Sequence, residues 1–71
     1  MTLEWRMKMQ DKVVIYIKNY TKEHGYPPSL VDIKDDLGFG SVSAVFKYVK
    51  DLEEEGLVKR EPRKARTLRV L

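Results

Sequence analysis

Apolar residues recur with helical spacing in three separate segments of this chain. The first segment, 10–20, places four apolar or aromatic residues on one face: Val13, Val14, Ile17 and Tyr20. Steps of three and four residues are typical of the buried side of an amphipathic helix. Gly25 follows where a glycine can end the helix in the left-handed conformation. The helix could also begin earlier, at Leu3, with Thr2 as its cap.

A second, shorter helix is predicted after a stiff connector. Tyr26-Pro27-Pro28 cannot continue a helix, because proline restricts both itself and the residue before it. Ser29 and Asp32 have the spacing of a capping box, in which each side chain bonds the other residue's backbone. The stripe behind this start consists of Leu30, Ile33 and Leu37. Residues 38–40, Gly-Phe-Gly, end the helix after little more than two turns.

The third predicted helix begins at Ser41 or Ser43. Its buried face is formed by Val45, Val49 and Leu52, with Tyr48 beside them. Gly56 is placed to end it with a Schellman motif, in which Leu57 would pair with Leu52. Five residues are predicted to share one core: Ile17, Ile33, Val45, Val49 and Leu52.

After Gly56 the pattern changes from helical spacing to short runs that favour strands. Residues 57–60 and 67–71 are such runs, and the second alternates by two. They predict a hairpin whose loop is the basic stretch 61–66. A short capped helix, a glycine-containing turn, another helix and a basic hairpin form the outline of a helix-turn-helix with a β wing. The expected fold class is mainly α, with three helices and a small β-hairpin.

Composition excludes several classes of function. The chain has 71 residues, of which 42% are hydrophobic and 35% charged, as is typical of one small globular domain. It has no cysteine and one histidine, which leaves no disulfide or thiolate zinc site. We find no nucleophile–base pair, phosphate loop or metal cluster, and therefore expect no enzyme, cofactor or metal. With no membrane-length apolar run or signal peptide, we expect a cytoplasmic location.

The individual acidic, histidine and tyrosine side chains are likewise expected to have structural and not catalytic roles. We interpret the acidic residues Asp32, Asp35 and Asp36 as capping or solvated groups, and Glu53, Glu54 and Glu55 as solvated. His24 is expected to cap the end of the first helix. The four tyrosines, Tyr16, Tyr20, Tyr26 and Tyr48, are expected to pack in the core and at its rim.

Charge is concentrated at the C-terminal end. Residues 59–71 contain six basic residues and one acidic residue, a net charge of +5, while residues 1–58 have a net charge of −2. This asymmetry fits either a segment that contacts a polyanion or a solvated basic tail.

Several short segments, in one order, resemble a known family. They are Tyr26-Pro27-Pro28-Ser29, Asp32-Ile33, Leu37-Gly38-Phe39, Ser41-Val42-Ser43-Ala44-Val45, Leu52-Glu53, Gly56-Leu57-Val58, and Glu61-Pro62 with Lys64 and Arg66. Together they resemble the N-terminal winged helix-turn-helix domain of LexA-type SOS repressors, in register over about residues 10–71. The resemblance implies a domain that recognises bacterial or phage operator DNA as pairs of half-sites, and a nucleoid-associated location.

The resemblance also implies which residues contact DNA. The base-contacting set falls at the start of the third helix: Ser41, Ser43, Ala44, Phe46 and Lys47. Phe46 departs from the family, where polar residues are usual, and it could contact DNA or turn into the core. The candidate wing and phosphate contacts are Lys50, Lys59, Arg60, Arg63, Lys64 and Arg66.

Two functions are compatible with these observations. The first is a sequence-specific regulator of transcription that binds double-stranded DNA, most simply a repressor. The alternative is a winged helix that binds a protein, through a patch formed by Trp5, Met7, Met9 and Phe46. The basic wing favours DNA, since a protein partner would not require it.

The expected organisation is one domain, residues 1–71. It comprises an N-terminal extension over 1–9, a helix-turn-helix over 29–55 and a wing over 57–71. The family's repressors also carry a self-cleaving domain with a Ser–Lys pair, which these residues lack, so we expect no self-cleavage. The chain could be an isolated domain or a short complete protein. Without the family's dimerising domain, we expect a weak homodimer on DNA or assembly through a partner protein, with residues 1–9 as a candidate contact.

Overall fold

The computed structural model describes residues 8–64 and 66–71, which form three helices and one two-stranded antiparallel sheet. The elements are α1 (Met9–His24), α2 (Leu30–Leu37), α3 (Val42–Glu54), β1 (Val58–Lys59) and β2 (Arg69–Val70). This order confirms the predicted fold class, three helices followed by a small β-hairpin. None of the helices among the described residues is long and apolar enough to cross a membrane.

Helix α1 begins later than the earliest start that the sequence allows. The backbone of Lys8 is extended, with φ −68° and ψ 156°, and the helix begins at Met9. The predicted early start at Leu3 lies outside the described residues, as does Thr2. Met9, expected in the N-terminal extension, is the first residue of α1 and packs against the core. At the other end Gly25 has a φ of 80°, as predicted.

The capping box at the start of α2 is present. The Ser29 hydroxyl accepts a hydrogen bond from the Asp32 N–H at 3.1 Å, and the Asp32 carboxylate accepts one from the Ser29 N–H at 3.0 Å. These bonds satisfy two amides that have no partner within the helix. Gly38, with a φ of 77°, ends α2 after eight residues. Both ends of α2 are therefore set by local sequence.

Both ends of α3 are defined by hydrogen bonds, and its N-terminal end decides between the two predicted starts, Ser41 and Ser43. Ser41 is the N-cap, and its hydroxyl accepts from the Ala44 N–H at 3.2 Å. At the C-terminal end, the Gly56 N–H donates to the Glu53 carbonyl and the Leu57 N–H to the Leu52 carbonyl, both at 3.0 Å. This is the Schellman pattern that was predicted.

The side chain of Leu57 does not follow the prediction. It is 45% exposed and lines a shallow surface depression with Val14 and Ile15 of α1, whereas Leu52 is fully buried. The backbone motif has formed without drawing Leu57 into the core, and the next residue, Val58, is buried there instead.

One apolar core joins the helices to the wing. Its buried residues are Val13, Ile17, Ile33, Val45, Val49, Leu52, Val58 and Leu68, each no more than 3% exposed. All five predicted core residues are among them. Val58 and Leu68 come from the hairpin, so the wing is packed on the helices through its own apolar residues.

The hairpin strands are shorter than predicted. Val58 pairs with Val70 and Lys59 with Arg69, which leaves two residues in each strand instead of the expected runs 57–60 and 67–71. The Thr67 hydroxyl, instead of extending a strand, accepts from the Glu61 N–H at 2.9 Å and lies 3.2 Å from the Lys64 carbonyl. Side-chain hydrogen bonds of Thr67 thus close the loop where the sequence predicted that the strands would pair.

Candidate nucleic-acid interface

The polar face of α3 is turned away from the core. Ser43, Lys47 and Lys50 are exposed, and their spacing of four and three residues aligns them along one side of the helix. The buried residues of α3 occupy the opposite side. A helix of this kind can present a hydroxyl and two ammonium groups to one ligand surface without disturbing its packing.

The other two small residues of the candidate set lie at the start of α3. Ser41 is exposed, and its hydroxyl oxygen is the helix cap, so the O–H hydrogen remains to donate to an acceptor. Ala44 is half-buried and shows only part of its methyl group. The structure therefore brings Ser41, Ser43, Ala44 and Lys47 together at one end of one helix.

Phe46 lies on the surface and not in the core. Its side chain is 37% exposed, and the guanidinium carbon of Arg60 lies 4.7 Å from the centre of its ring. Arg60 in turn donates from Nε to the Glu53 carboxylate at 2.8 Å. Of the two alternatives for Phe46, burial in the core is excluded. Glu53 is half-buried in an ion pair, contrary to the expectation that all three glutamates near the end of α3 are solvated.

The wing carries exposed cations at its tip and on its first strand. A turn closed by the Lys64 N–H and the Glu61 carbonyl at 3.3 Å places Pro62 and Arg63 at its centre, and Arg63 has a φ of 68°. Arg63, Lys64 and, on β1, Lys59 are all exposed. The pair between Lys64 and Glu61, at 3.5 Å on the surface, contributes little to stability.

Arg66 is bound within the fold. Its Nη1 donates to the Asp32 carboxylate at 3.0 Å, the Tyr20 hydroxyl at 3.2 Å and the Pro27 carbonyl at 3.3 Å. Its guanidinium carbon also lies 5.1 Å from the centre of the Tyr26 ring. Arg66 thus ties the wing to the start of α2 and the end of α1. No local sequence pattern could have indicated contacts between residues 34 to 46 positions apart.

The aromatic residues at the end of α1 form a separate cluster. The ring centres of Tyr16 and Tyr20 are 5.7 Å apart, those of Tyr20 and His24 4.1 Å, and those of Tyr20 and Tyr26 6.0 Å. At the end of α1 the Gly25 N–H donates to the Thr21 carbonyl, and no capping bond from the His24 side chain is found among the described residues. His24, expected to cap this helix, instead packs its ring against Tyr20. This cluster is rim packing, as expected of the tyrosines.

Asp32 is the electrostatic centre of this junction. The hydrogen bond from the Ser29 backbone holds the pKa of Asp32 below its usual range, and the Ser29 and Tyr20 hydroxyls and the charge of Arg66 lower it further against the opposing effect of burial. A carboxyl whose pKa is depressed in the folded state stabilises that state above its unfolded pKa, about 3.9. This stabilisation is lost as the pH falls through the folded pKa.

We expect Asp32→Asn to reduce the free energy of unfolding near pH 6 by about 1 kcal/mol, the usual size of a helix-capping interaction. The difference from wild type should shrink as the pH is lowered from about 5 to 2, because wild-type Asp32 then becomes neutral too. Urea unfolding at several pH values measures it. Asp35→Asn, at an exposed neighbour, is the control. A gap that stays constant over this pH range would show that the carboxylate charge is not responsible.

Within 8–64 and 66–71, no group of three or more His, Asp or Glu side chains is arranged to hold a metal ion.

A capped helix-turn-helix whose last helix turns a polar face outward, followed by a basic two-stranded wing packed on the same core, defines the winged helix-turn-helix class of proteins. A comparison with known families narrows this further. The family model of the LexA DNA binding domain matches residues 7–67, and the chain belongs to this family. The match begins three residues earlier than position 10, where the sequence resemblance was seen to start.

Individual relatives agree with this assignment. A LexA repressor of Clostridium botulinum is 41% identical over 66 residues, which are 93% of this chain and 33% of the relative. A LexA repressor of Shouchella clausii is 39% identical over 64 residues, 90% of this chain and 31% of the relative. The chain thus spans about a third of the length of the curated relatives it matches.

Proposed function

We propose that this domain represses transcription in bacteria or their phages by binding double-stranded DNA of particular sequence. The observation that carries the proposal is the joint placement of the polar face of α3 and the exposed cations of the wing, packed on one core. Membership in the LexA DNA binding domain family supports DNA as the ligand. The name of its relatives, LexA repressor, supports repression as the outcome.

In this proposal, α3 enters the major groove and its first turns contact the bases. Ser41 and Ser43 can bond to base edges or phosphates, and Lys47 can reach the acceptors of guanine. Ala44 offers apolar contact to a thymine methyl group, and Phe46 lies among these base-contacting positions. The exposed side of α3 carries no carboxylate in these turns, which suits a polyanionic partner.

The phosphate contacts are assigned to the exposed cations. Lys50 on α3 and Lys59, Arg63 and Lys64 on the wing are exposed and can contact the backbone of the duplex, which contributes affinity without sequence preference. Arg60 and Arg66 were predicted for the same role. Their bonds within the fold weigh against it, and we assign both to positioning the wing.

We further propose that one copy binds one half-site weakly and that two copies, or one copy and a partner, occupy a full operator. A single α3 and a single wing make few contacts compared with a dimer. The candidate assembly contact, residues 1–9, lies mostly outside the described residues, and Met9 packs against the core of its own chain.

The alternative, a protein-binding winged helix, has less support. Of its proposed patch, Trp5 and Met7 lie outside the described residues, Met9 packs on the core and Phe46 lies beneath Arg60. The apolar surface that remains is formed by Ile15 of α1, which is 43% exposed, and Leu57 at the start of the wing, which is 45% exposed. The depression that these residues line includes none of the basic residues of the wing.

Selection of bound fragments from random duplex DNA tests the proposal. We expect one half-site sequence to be enriched, and Ser43→Ala and Lys47→Ala to reduce the discrimination between this sequence and its single-base changes by about tenfold, the size of one lost base contact. Lys22→Ala, an exposed change on α1, should leave discrimination unchanged. Recovery of no common sequence would contradict sequence-specific binding.

A further inference from the structure

Phe46 and Glu53 lie on the same flank of α3, and one residue of the wing joins them. They are seven residues apart, which is two helical turns, so their side chains project in the same direction. Arg60 lies between them: its Nε donates to the Glu53 carboxylate at 2.8 Å, and its guanidinium carbon stands 4.7 Å from the centre of the Phe46 ring. One side of the ring is thus held by a planar cation that is itself fixed by an ion pair.

The exposed part of the ring is presented beside the polar side chains of α3. At 37% exposure, Phe46 retains a substantial apolar surface. It lies three residues after Ser43 and four before Lys50, and therefore on the side of α3 that we assign to DNA. A phenyl ring neither donates nor accepts conventional hydrogen bonds. The one apolar group on the major-groove edge of a base pair is the 5-methyl group of thymine. The ligand chemistry that fits this ring is therefore a thymine methyl.

We propose that Phe46 determines sequence specificity by contacting the methyl group of one thymine in the half-site, and that Arg60 and Glu53 hold its ring in place. The proposal rests on the proposed DNA-binding function and adds to it the identity of one base and the residue that selects it. It also changes the role of Arg60 from a phosphate contact to a positioning residue.

The partners of Arg60 support this change of role. Its Nε hydrogen is used by Glu53, and the two side chains are only 24% and 31% exposed, unlike the exposed cations of the wing tip. The carboxylate compensates most of its charge locally. A cation in this position contributes little to the counterions released on binding, which depend on charges brought to the phosphates.

Replacement of each thymine in the most enriched duplex by deoxyuridine, one position at a time, tests the contact. The exchange removes only the methyl group and preserves base pairing. Burial of one such group corresponds to about a fourfold change in affinity. We expect fluorescence anisotropy to show this loss at one thymine per half-site for wild type. Phe46→Ala should bind the thymine and deoxyuridine duplexes equally at that position.

A second pair of variants tests the positioning residues. Arg60→Gln and Glu53→Gln should reduce the preference for thymine over deoxyuridine, while the dependence of affinity on salt stays as in wild type. Lys59→Gln, which removes an exposed charge from the residue before Arg60, is the matched control: it should weaken the salt dependence and leave the thymine preference intact. If Phe46→Ala folds poorly, Phe46→Leu replaces it in the test. Because leucine is apolar but smaller than phenylalanine, this variant should retain only part of the preference for thymine.

The outcomes separate this proposal from the proposed function. An enriched sequence with no thymine at which the methyl group matters, or a methyl effect that persists in Phe46→Ala and Phe46→Leu alike, would overturn the thymine contact and leave DNA binding standing. An unchanged thymine preference in Arg60→Gln, with a weaker salt dependence, would overturn the positioning role alone. Failure to enrich any sequence would instead reject the proposed function.

Discussion

Replacement of Leu52 by alanine is expected to lower the free energy of unfolding by about 2–5 kcal/mol, the usual cost of removing a buried leucine side chain. Leu52 is fully buried on the inner face of α3, within the core that joins the helices to the wing. A domain of this size has a total stability of only about 4–10 kcal/mol. The thermal midpoint, followed by circular dichroism, should therefore fall by more than about 10 °C.

Val31→Ala provides the control for this measurement. Val31 lies on α2 and is 50% exposed, so its replacement should change stability by less than about 0.5 kcal/mol. Equal thermal midpoints for Leu52→Ala and the wild type would contradict the assignment of α3 to the core.

Removal of three charges from the wing is expected to have the largest effect on binding. The triple variant Lys59→Ala, Arg63→Ala and Lys64→Ala removes exposed cations that we assign to phosphates. Each lost contact reduces the slope of log affinity against log salt by about 0.9, so the slope should decrease by about 2.7. At about 0.1 M salt, affinity should fall roughly a hundredfold or more for every duplex tested, with little change in the preference among sequences.

A triple variant of α1 tests whether position matters or only total charge. Lys12, Lys18 and Lys22 are exposed on α1, and their replacement by alanine removes the same charge. We expect the salt slope to change much less. Similar slopes for the two triple variants would show that binding responds to net charge and would refute the assignment of the wing to DNA.

Much of the helical framework could be predicted because its determinants are local. The Ser29–Asp32 capping box, the left-handed glycines Gly25 and Gly56 and the stripe of Val45 and Leu52 each act within a few residues. Such features depend on backbone geometry and helical periodicity, which are read directly from spacing.

The strands and the side chain of Leu57 could not be predicted in the same way. Two-residue strands are set by where the wing packs, and the Thr67 hydroxyl closes the loop onto Glu61 six residues earlier. A β-prone run predicts strand tendency, but tertiary packing decides how much of it pairs. For the same reason the Schellman backbone of α3 was predictable and the exposure of Leu57 was not.

The candidate site was predictable in position more than in detail. Basic residues of the wing are visible in the sequence, but it does not show which are engaged within the fold. Arg66 bonds Asp32 and Arg60 bonds Glu53, across 34 and 7 residues respectively. Phe46 stood out in the sequence as an unusual aromatic residue, but its contact with Arg60 could not be predicted from the pattern.

The most direct test of the central claim, that α3 and the wing together form the DNA-binding face, is an NMR titration of the ¹⁵N-labelled domain with the most enriched duplex. The amide chemical shifts of residues 41–50 and 59–64 should change together, and the changes should saturate at one domain per half-site. The amide chemical shifts of residues 11–15 and of Leu57, at the apolar surface beside α1, should not change. Shifts confined to residues 11–15 and Leu57, or no saturable shifts at all, would contradict the claim.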